Sequence, residues 1–259
     1  MRRRLGTGIP RGADRAGGGR FRVAGRPGAL VHMRSSGTGP DTYVLIHGIG
    51  VSSRYFLPLA AELAHTATVH NIDLPGHGST PKPSRTLSVR DYAHAVWDAL
   101  DELGVRRPIL VGHSMGAQVA VEMAHMRAAA APAIVLLGPT NYAPERGFWR
   151  QSLRLCQDTL REPWKVNAIV FSDYAFRCGL PWYFRTVPMM LSNRIEDTIA
   201  TVLVVRGTRD PIVPAAWVSA LAYLAPRGAM AQVGRESHVM MYRSAAAVAA
   251  LCRGVASRI

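Results

Sequence analysis

Residues 112–116 read Gly-His-Ser-Met-Gly, and this spacing puts one serine between two glycines. The apolar run 108–111 before them predicts a short buried strand, and residues 117–123 after them predict a helix. In a strand–turn–helix the apical residue is strained, and the flanking glycines let strand and helix approach. Ser114 would therefore project from the turn as a nucleophile, beside the free N–H groups that begin the helix.

A serine hydroxyl becomes a good nucleophile only when a base removes its proton. A histidine and a carboxylate that orients it are therefore required elsewhere in the chain. Asp210 and His238 each follow an apolar run that is typical of a strand. Loops after parallel strands meet at one edge of a sheet, so we expect both near Ser114. Asp73 is the rival acid, but its glycine-containing loop is more typical of a structural turn.

The elements that must position these residues alternate along the chain. Strand-like apolar runs cover residues 29–34, 43–46, 67–72, 109–111, 133–137, 202–205 and 230–233, and helical periodicity covers 89–103. Such alternation predicts an α/β fold with a mostly parallel central sheet flanked by helices. Residues 140–201 interrupt the alternation, because they contain many aromatic residues but no clear strand. We expect them to form a helical cap, or lid, over the site.

Together these motifs resemble the α/β-hydrolase superfamily, in the branch that carries a helical cap. The resemblance covers about residues 30–259. It rests on motifs in the expected order: residues 47–50 (HGIG), 73–79 (DLPGHGS), 112–116 (GHSMG), then Asp210 and His238.

The resemblance implies a role for each candidate residue. Ser114 would attack the substrate, His238 would act as general base and then as general acid, and Asp210 would hold the histidine tautomer. The backbone N–H groups of Ile49 and Met115 would form the oxyanion hole. The reaction would be an acyl transfer through an acyl-enzyme, with water as the second acceptor and with no cofactor and no metal.

The histidine motif departs from the pattern of the superfamily. Ser237 and Arg243 stand where glycine and an acid are common, and Val239 stands where carbon–carbon bond hydrolases often carry tryptophan. We therefore expect a carboxylic ester hydrolase, class EC 3.1.1, acting on an ester, thioester or related acyl bond of a small, largely apolar substrate. Carbon–carbon bond hydrolysis and cofactor-free haloperoxidase or perhydrolase chemistry are the alternatives. A ligand-binding receptor or scaffold on this fold is the alternative outside enzymes.

The positive charge of the chain, +14 in total, is concentrated at its start. Residues 1–34 contain nine arginines and one acidic residue, and glycines are interleaved among them. We predict a disordered basic leader at 1–28, a hydrolase core at 29–139 and 202–259, and the cap at 140–201. Nucleic-acid binding by the leader is the less favoured interpretation. The cap arginines predict a solvated face, with one or two positions that would pair with an anionic substrate.

Two further features bear on location and partners. No apolar stretch reaches the roughly 20 residues of a membrane-spanning helix, and three cysteines without a CxxC motif fit a reducing compartment. The sequence therefore predicts a cytoplasmic protein whose partner is a small-molecule substrate.

Overall fold

The computed structural model describes residues 20–26, 28–131, 133–142, 147–197 and 202–257. The strands are β1 (Arg20–Ala24), β2 (Val31–Ser36), β3 (Thr42–Ile46), β4 (Thr68–Asp73), β5 (Ile109–His113), β6 (Ile134–Leu137), β7 (Val202–Gly207) and β8 (Ala229–Val233). The α-helices are α1 (Leu57–Ala64), α2 (Val89–Glu102), α3 (Met115–Met126), α4 (Phe148–Thr159), α5 (Trp164–Ser172), α6 (Leu180–Ser192), α7 (Ala215–Leu224), α8 (Met240–Arg243) and α9 (Ala245–Ala256).

The strands form one eight-stranded sheet in the order β1-β2-β4-β3-β5-β6-β7-β8. From β4 to β8 every neighbouring pair is parallel, whereas β2 runs antiparallel to both β1 and β4. This topology confirms the predicted α/β fold with a mostly parallel sheet. The carboxyl ends of β3, β5, β6, β7 and β8 lie along one edge, where their loops can share a site.

Both faces of the sheet are covered, which explains the uninterrupted apolar character of the central strands. Along β3, Tyr43 and Leu45 pack into one apolar cluster, and Val44 and Ile46 pack into the other. One cluster includes buried residues of α2, α3 and α7, and the other includes buried residues of α1 and α9. The core therefore lies on both sides of the sheet and fixes the strand ends rigidly.

The predicted leader at 1–28 is wrong in its last part. Residues 20–24 form β1, which pairs with β2 in an antiparallel register that joins Phe21 to Arg34. The Arg34 guanidinium lies 4.5 Å from the centre of the Phe21 ring. The alternation of polar and apolar residues in RFRVA is a strand pattern that the arginine-rich composition conceals. Residues 1–19 lie outside the described residues.

The segment between β6 and β7 contains α4, α5 and α6, which we call the insertion helices. Among its described residues there is no strand, in agreement with the sequence pattern. Its aromatic residues divide between two environments. Trp182 is buried, and Phe148, Tyr174 and Tyr183 are half-buried against the core. Five others are exposed: Trp149, Trp164, Phe171, Phe176 and Phe184. The many aromatic residues of this segment therefore do not form one buried core.

Candidate active site

Ser114 lies between β5 and α3 with φ 55° and ψ −120°. A residue with a Cβ atom adopts a positive φ only when the surrounding structure holds it there. A Cβ atom on Gly112 would overlap the carbonyl oxygen of Gly116, and one on Gly116 would overlap the carbonyl oxygen of Ile46. The two glycines therefore allow α3 to pack against β3 and β5, and this packing holds Ser114 in the strained turn.

Asp210 and His238 meet at the carboxyl ends of β7 and β8. Nδ1 of His238 lies 2.8 Å from Oδ2 of Asp210, and both residues are buried. The other oxygen of Asp210 accepts hydrogen bonds from the N–H groups of Ile212 and Val213, at 2.8 and 3.1 Å. Because Asp210 is fixed at both oxygens, it holds the His238 proton on Nδ1 and leaves Nε2 able to accept a proton.

Asp73, the rival acid, has a different environment. Its Oδ1 accepts a hydrogen bond from the N–H of Ser53 at 2.7 Å, and its Oδ2 accepts one from the N–H of Ser79 at 2.9 Å. Its backbone carbonyl accepts a hydrogen bond from the Thr80 hydroxyl at 2.7 Å. Asp73 therefore joins two loops, and the carboxylate that bonds to His238 is that of Asp210.

The loop after β3 lies directly beside the serine. A Cβ atom on Gly48 would lie 3.0 Å from the Cβ of Ser114, and the next residue, Ile49, lines the cavity described below. Met115 begins α3, so its N–H is among the first of the helix, which have no partner within it. Ile49 and Met115, the two candidates for the oxyanion hole, therefore flank Ser114 from two different loops.

A chain of hydrogen bonds connects three loops of the site. The N–H of Gly48 donates to the Tyr55 hydroxyl at 2.8 Å, and that hydroxyl lies 2.8 Å from Nδ1 of His113. Nε2 of His113 donates to the carbonyl of His238 at 3.1 Å. Burial, aided by the neighbouring His238, holds the pKa of His113 well below its usual range. A neutral His113 therefore ties the loops of Gly48 and His238 together.

Ser114 and His238 line one cavity of about 100 Å³, whose other walls come largely from the insertion helices. Most of its surface is apolar, with Leu155, Val166 and Val187 among the lining residues. A concave, largely apolar cavity with a few convergent polar groups is the usual form of a small-molecule site.

Two acidic residues of the insertion line this cavity, and sequence reasoning missed both. Oδ1 of Asp158 accepts a hydrogen bond from the N–H of His238 at 3.1 Å, and Oε1 of Glu162 accepts one from the N–H of Val239 at 2.8 Å. Their spacing of four residues, at the end of α4 and just before Pro163, was the available signal. It is a weak signal because the same spacing occurs on many solvated helices.

These carboxylates change the electrostatics of the base. Burial by itself disfavours a charged His238, but the nearby Asp210, Asp158 and Glu162 outweigh it and raise the pKa of His238 to about 9. Burial also raises the pKa of Asp158 to about 6 and that of Glu162 to about 7. The site therefore stabilises an imidazolium at His238.

The expectation that a cap arginine faces the cleft is wrong for the arginines that the structure describes, since none lines the cavity. Arg161 donates to the carbonyl of Arg209 at 2.8 Å. Arg177 lies 3.4 Å from the carboxylate of Asp173, and Arg194 pairs with Asp197 at 3.1 Å. Arg146, another arginine of this segment, lies outside the described residues.

The described residues contain no group of three or more His, Cys, Asp or Glu residues arranged to hold a metal ion. Within the same part of the chain, no helix is both long enough and apolar enough to cross a membrane.

Comparison with known proteins places this geometry in context. A family model described as "Alpha/beta hydrolase family" matches residues 43–251. An uncharacterised protein of Mycobacterium tuberculosis is 42% identical over 93 residues, which cover 36% of this chain and 27% of that protein. A pimeloyl-[acyl-carrier protein] methyl ester esterase of Methylococcus capsulatus is 37% identical over 118 residues, which cover 45% of this chain and 44% of that protein.

Among solved structures, a thermophilic esterase from Thermogutta terrifontis superposes with a TM-score of 0.77 and 18% identity. The superposition covers 92% of this chain and 98% of the esterase. At this identity the likeness shows the fold alone. The chain spans less than half the length of each of the two curated relatives named above.

Proposed function

The chain belongs to the alpha/beta hydrolase family, and on that premise we propose that it hydrolyses an ester or thioester bond of a small, largely apolar substrate. The observation that carries the proposal is the convergence on one cavity of Ser114, in its positive-φ turn, and the hydrogen-bonded pair of His238 and Asp210. The reaction needs a serine hydroxyl, a base and a group that orients the base, and this arrangement supports the assignment of those roles to the three residues.

The first half of the reaction acylates the serine. His238 Nε2 takes the proton of the Ser114 hydroxyl while Oγ attacks the carbonyl carbon. Asp210 holds the Nδ1 proton and stabilises the imidazolium. The negative charge on the substrate oxygen receives hydrogen bonds from the N–H groups of Ile49 and Met115. His238 then gives its proton to the departing alcohol or thiol, and the acyl group remains on Ser114.

The second half repeats these steps with water as the nucleophile. His238 takes a proton from the water molecule as its oxygen attacks the acyl carbon, and returns that proton to Ser114 Oγ when the carboxylic acid leaves. Every proton moves between groups of the chain, the substrate and water. The proposed reaction therefore needs no cofactor and no metal.

The insertion helices act in this proposal as the cap. Their apolar side chains, such as Leu155 and Val166, form the wall opposite Ser114 and exclude bulk water from the reacting bond. Asp173, between α5 and α6, accepts hydrogen bonds from Ser52 at 2.5 Å and from Arg54 at 3.0 Å. These contacts join the proposed cap, at 140–201, to the proposed core, at 29–139 and 202–259.

The test uses a neutral fluorophosphonate probe and p-nitrophenyl esters of increasing chain length. We expect covalent labelling of the wild type, visible by intact mass, and ester turnover, with both lost in Ser114→Ala. Far-UV circular dichroism of both proteins controls for folding. Labelling without ester turnover would redirect the assignment to carbon–carbon bond or perhydrolase chemistry. No labelling of the folded wild type would favour a receptor or scaffold.

A further inference from the structure

The charge of the cavity is opposite to the charge of the chain. The chain carries a net charge of +14. Among the described residues that line the cavity there is no lysine and no arginine, and the acidic residues are Asp158 and Glu162. The two lining histidines are His113, held neutral by burial, and His238, the proposed base. A ligand in this cavity therefore meets two carboxylates and no permanent cation.

Each of these carboxylates uses only one of its two oxygens in its hydrogen bond to the His238 loop. Asp158 uses Oδ1, and Glu162 uses Oε1, to accept a backbone N–H of the His238 loop. For Oδ2 of Asp158 and Oε2 of Glu162, the described part of the chain provides no hydrogen-bond donor. Arg161, the cation whose charge acts on Asp158, is exposed, and its guanidinium bonds the Arg209 carbonyl outside the cavity.

A third polar group of the cavity also lacks a partner. Thr140 is 5% exposed and lines the same cavity, and its hydroxyl has no hydrogen-bond partner in the described structure. A buried hydroxyl without a partner costs free energy, and a ligand that bonds to it recovers that free energy. Thr140, Asp158 and Glu162 together offer a hydroxyl and two carboxylate oxygens to a molecule that can donate hydrogen bonds.

We propose that this cavity selects an acyl substrate that carries a protonated amine on an apolar skeleton, and rejects one that carries a carboxylate or a phosphate. The inference rests on the proposed function and specifies its substrate class. A cation that leaves water for an apolar cavity is stabilised only if it finds opposite charge and hydrogen-bond acceptors there. The amine finds both at Asp158 and Glu162, whereas an anion finds like charge there and, in the reactive form with His238 neutral, no cation on the described wall.

Measurements at low and high ionic strength distinguish the selectivity of the cavity from the attraction of anions to the basic surface. Three exposed arginines near the His238 loop line a separate surface pocket: Arg209, Arg235 and Arg243. They attract anions from a distance, and salt screens that attraction. Charges buried in the cavity are screened much less. The preference for the amine therefore persists at high ionic strength, where the steering of anions by the surface disappears.

The kinetic test compares three p-nitrophenyl esters of six-carbon acids: hexanoate, 6-aminohexanoate and the mono-ester of adipate. Assays above about pH 8 keep both carboxylates charged, because their pKa values lie near 6 and 7. We expect kcat/KM for the amino ester to exceed that for the carboxy ester by at least about tenfold, with hexanoate between them. The order should hold at low and at high salt.

Two variants locate the effect and one controls for it. Glu162→Gln and Asp158→Asn keep an oxygen for the backbone N–H but lose the charge, so the amino-to-carboxy ratio should fall toward one. Glu62→Gln makes the same chemical change on α1, outside the cavity, and should leave the ratio unchanged. Equal turnover of the two charged esters by the wild type, or a ratio that Glu62→Gln changes as much as Glu162→Gln does, would overturn the proposal.

A binding measurement distinguishes failure of this inference from failure of the proposed function. Hexylamine and hexanoate are titrated calorimetrically into Ser114→Ala, which needs no turnover. Tighter binding of the amine supports the proposal even if no ester is hydrolysed, and tighter binding of hexanoate overturns it. The neutral fluorophosphonate probe reports on Ser114 alone, so labelling with no charge preference counts against the selectivity and leaves the hydrolase proposal standing.

Discussion

The two walls of the cavity are built from different parts of the chain and are held in place differently. On the sheet wall, Ser114, Asp210 and His238 follow the ends of parallel strands. On the insertion wall, Asp158 and Glu162 lie at the end of α4 and just after it. The sheet wall is fixed by close approach of backbones, as at Gly207, where a Cβ atom would overlap the carbonyl oxygen of Glu236. The insertion wall is joined to it by side-chain hydrogen bonds.

Because the two walls are held differently, we expect the sheet wall to carry out the bond-breaking chemistry and the insertion wall to set the substrate selectivity. Groups that must keep their geometry through bond breaking lie on the rigid sheet edge, where a shift would disturb the core on both faces. Groups that meet the rest of the substrate lie on helices that can change sequence without changing the sheet. Substitutions on the sheet wall should therefore affect the rate of the reaction, and those on the insertion wall should affect the pKa of the base and the choice of substrate.

The largest effect is expected when the two acids nearest His238 are substituted one at a time and the two single variants are compared. Asp210→Asn should lower kcat by about 10³–10⁴-fold, because it removes the acceptor that fixes the Nδ1 proton. Asp158→Asn should lower kcat by less than about tenfold, because the asparagine oxygen still accepts the N–H of His238. Steady-state kinetics on a neutral ester measures both. Similar losses in the two variants would remove the distinction between the walls.

A second effect concerns stability on the sheet side. Asp73→Asn should lower the free energy of unfolding by about 1–2 kcal/mol, because one of two partly buried hydrogen bonds, from the N–H of Ser53 or of Ser79, loses its acceptor. Urea unfolding measures this change, and kcat at a temperature where the variant is folded should stay close to that of the wild type. A collapse of kcat in a stable Asp73→Asn protein would instead make Asp73 the orienting acid.

The pH profile of kcat/KM tests whether the insertion wall acts on the base of the sheet wall. The base accepts a proton only when His238 is neutral, so kcat/KM should rise with pH up to the pKa of His238, near 9. The groups that face this ring are Asp210, Asp158, Glu162 and the neutral His113.

Asp158→Asn removes a negative charge that favours the imidazolium. The rise of kcat/KM with pH should therefore move toward lower pH by roughly half a unit or more. The Glu62→Gln profile serves as the control. If kcat/KM rises at the same pH in Asp158→Asn as in the wild type, the insertion wall does not act on the base.

The smallest effect is expected at Tyr55, which touches no substrate in this proposal and positions two loops. Tyr55→Phe breaks the chain between Gly48 and His113 and should lower kcat several-fold, by about 1 kcal/mol, with KM little changed. Kinetics with a neutral ester tests this, and thermal unfolding shows whether the loss is structural. A loss in Tm with unchanged kcat would limit Tyr55 to a packing role.

Much of the fold was predictable because its signals are local. Apolar runs predicted the parallel strands β3 to β8, and their alternation with helices predicted the sheet. The antiparallel β1 was missed, since arginines conceal its alternation. At the site, Ser114, Asp210 and His238 were named from motifs and strand ends. The structure brings Ser114 and His238 to one cavity and Asp210 into a hydrogen bond with His238. Asp158, Glu162 and the pair of Tyr55 and His113 have no comparable local signal.

The sequence by itself determined the nucleophile turn, the strand ends that carry the candidate acid and base, and the class of fold. Each depends on neighbours within a few residues, such as the two glycines around Ser114. Only the tertiary structure decided the charge of the cavity. Asp158 and His238 are 80 residues apart in the chain, and their contact depends on how α4 packs over the sheet. The composition is strongly basic, yet the cavity is lined by two carboxylates and by none of the described arginines. The reason is that burial and charge are set by contacts between distant segments.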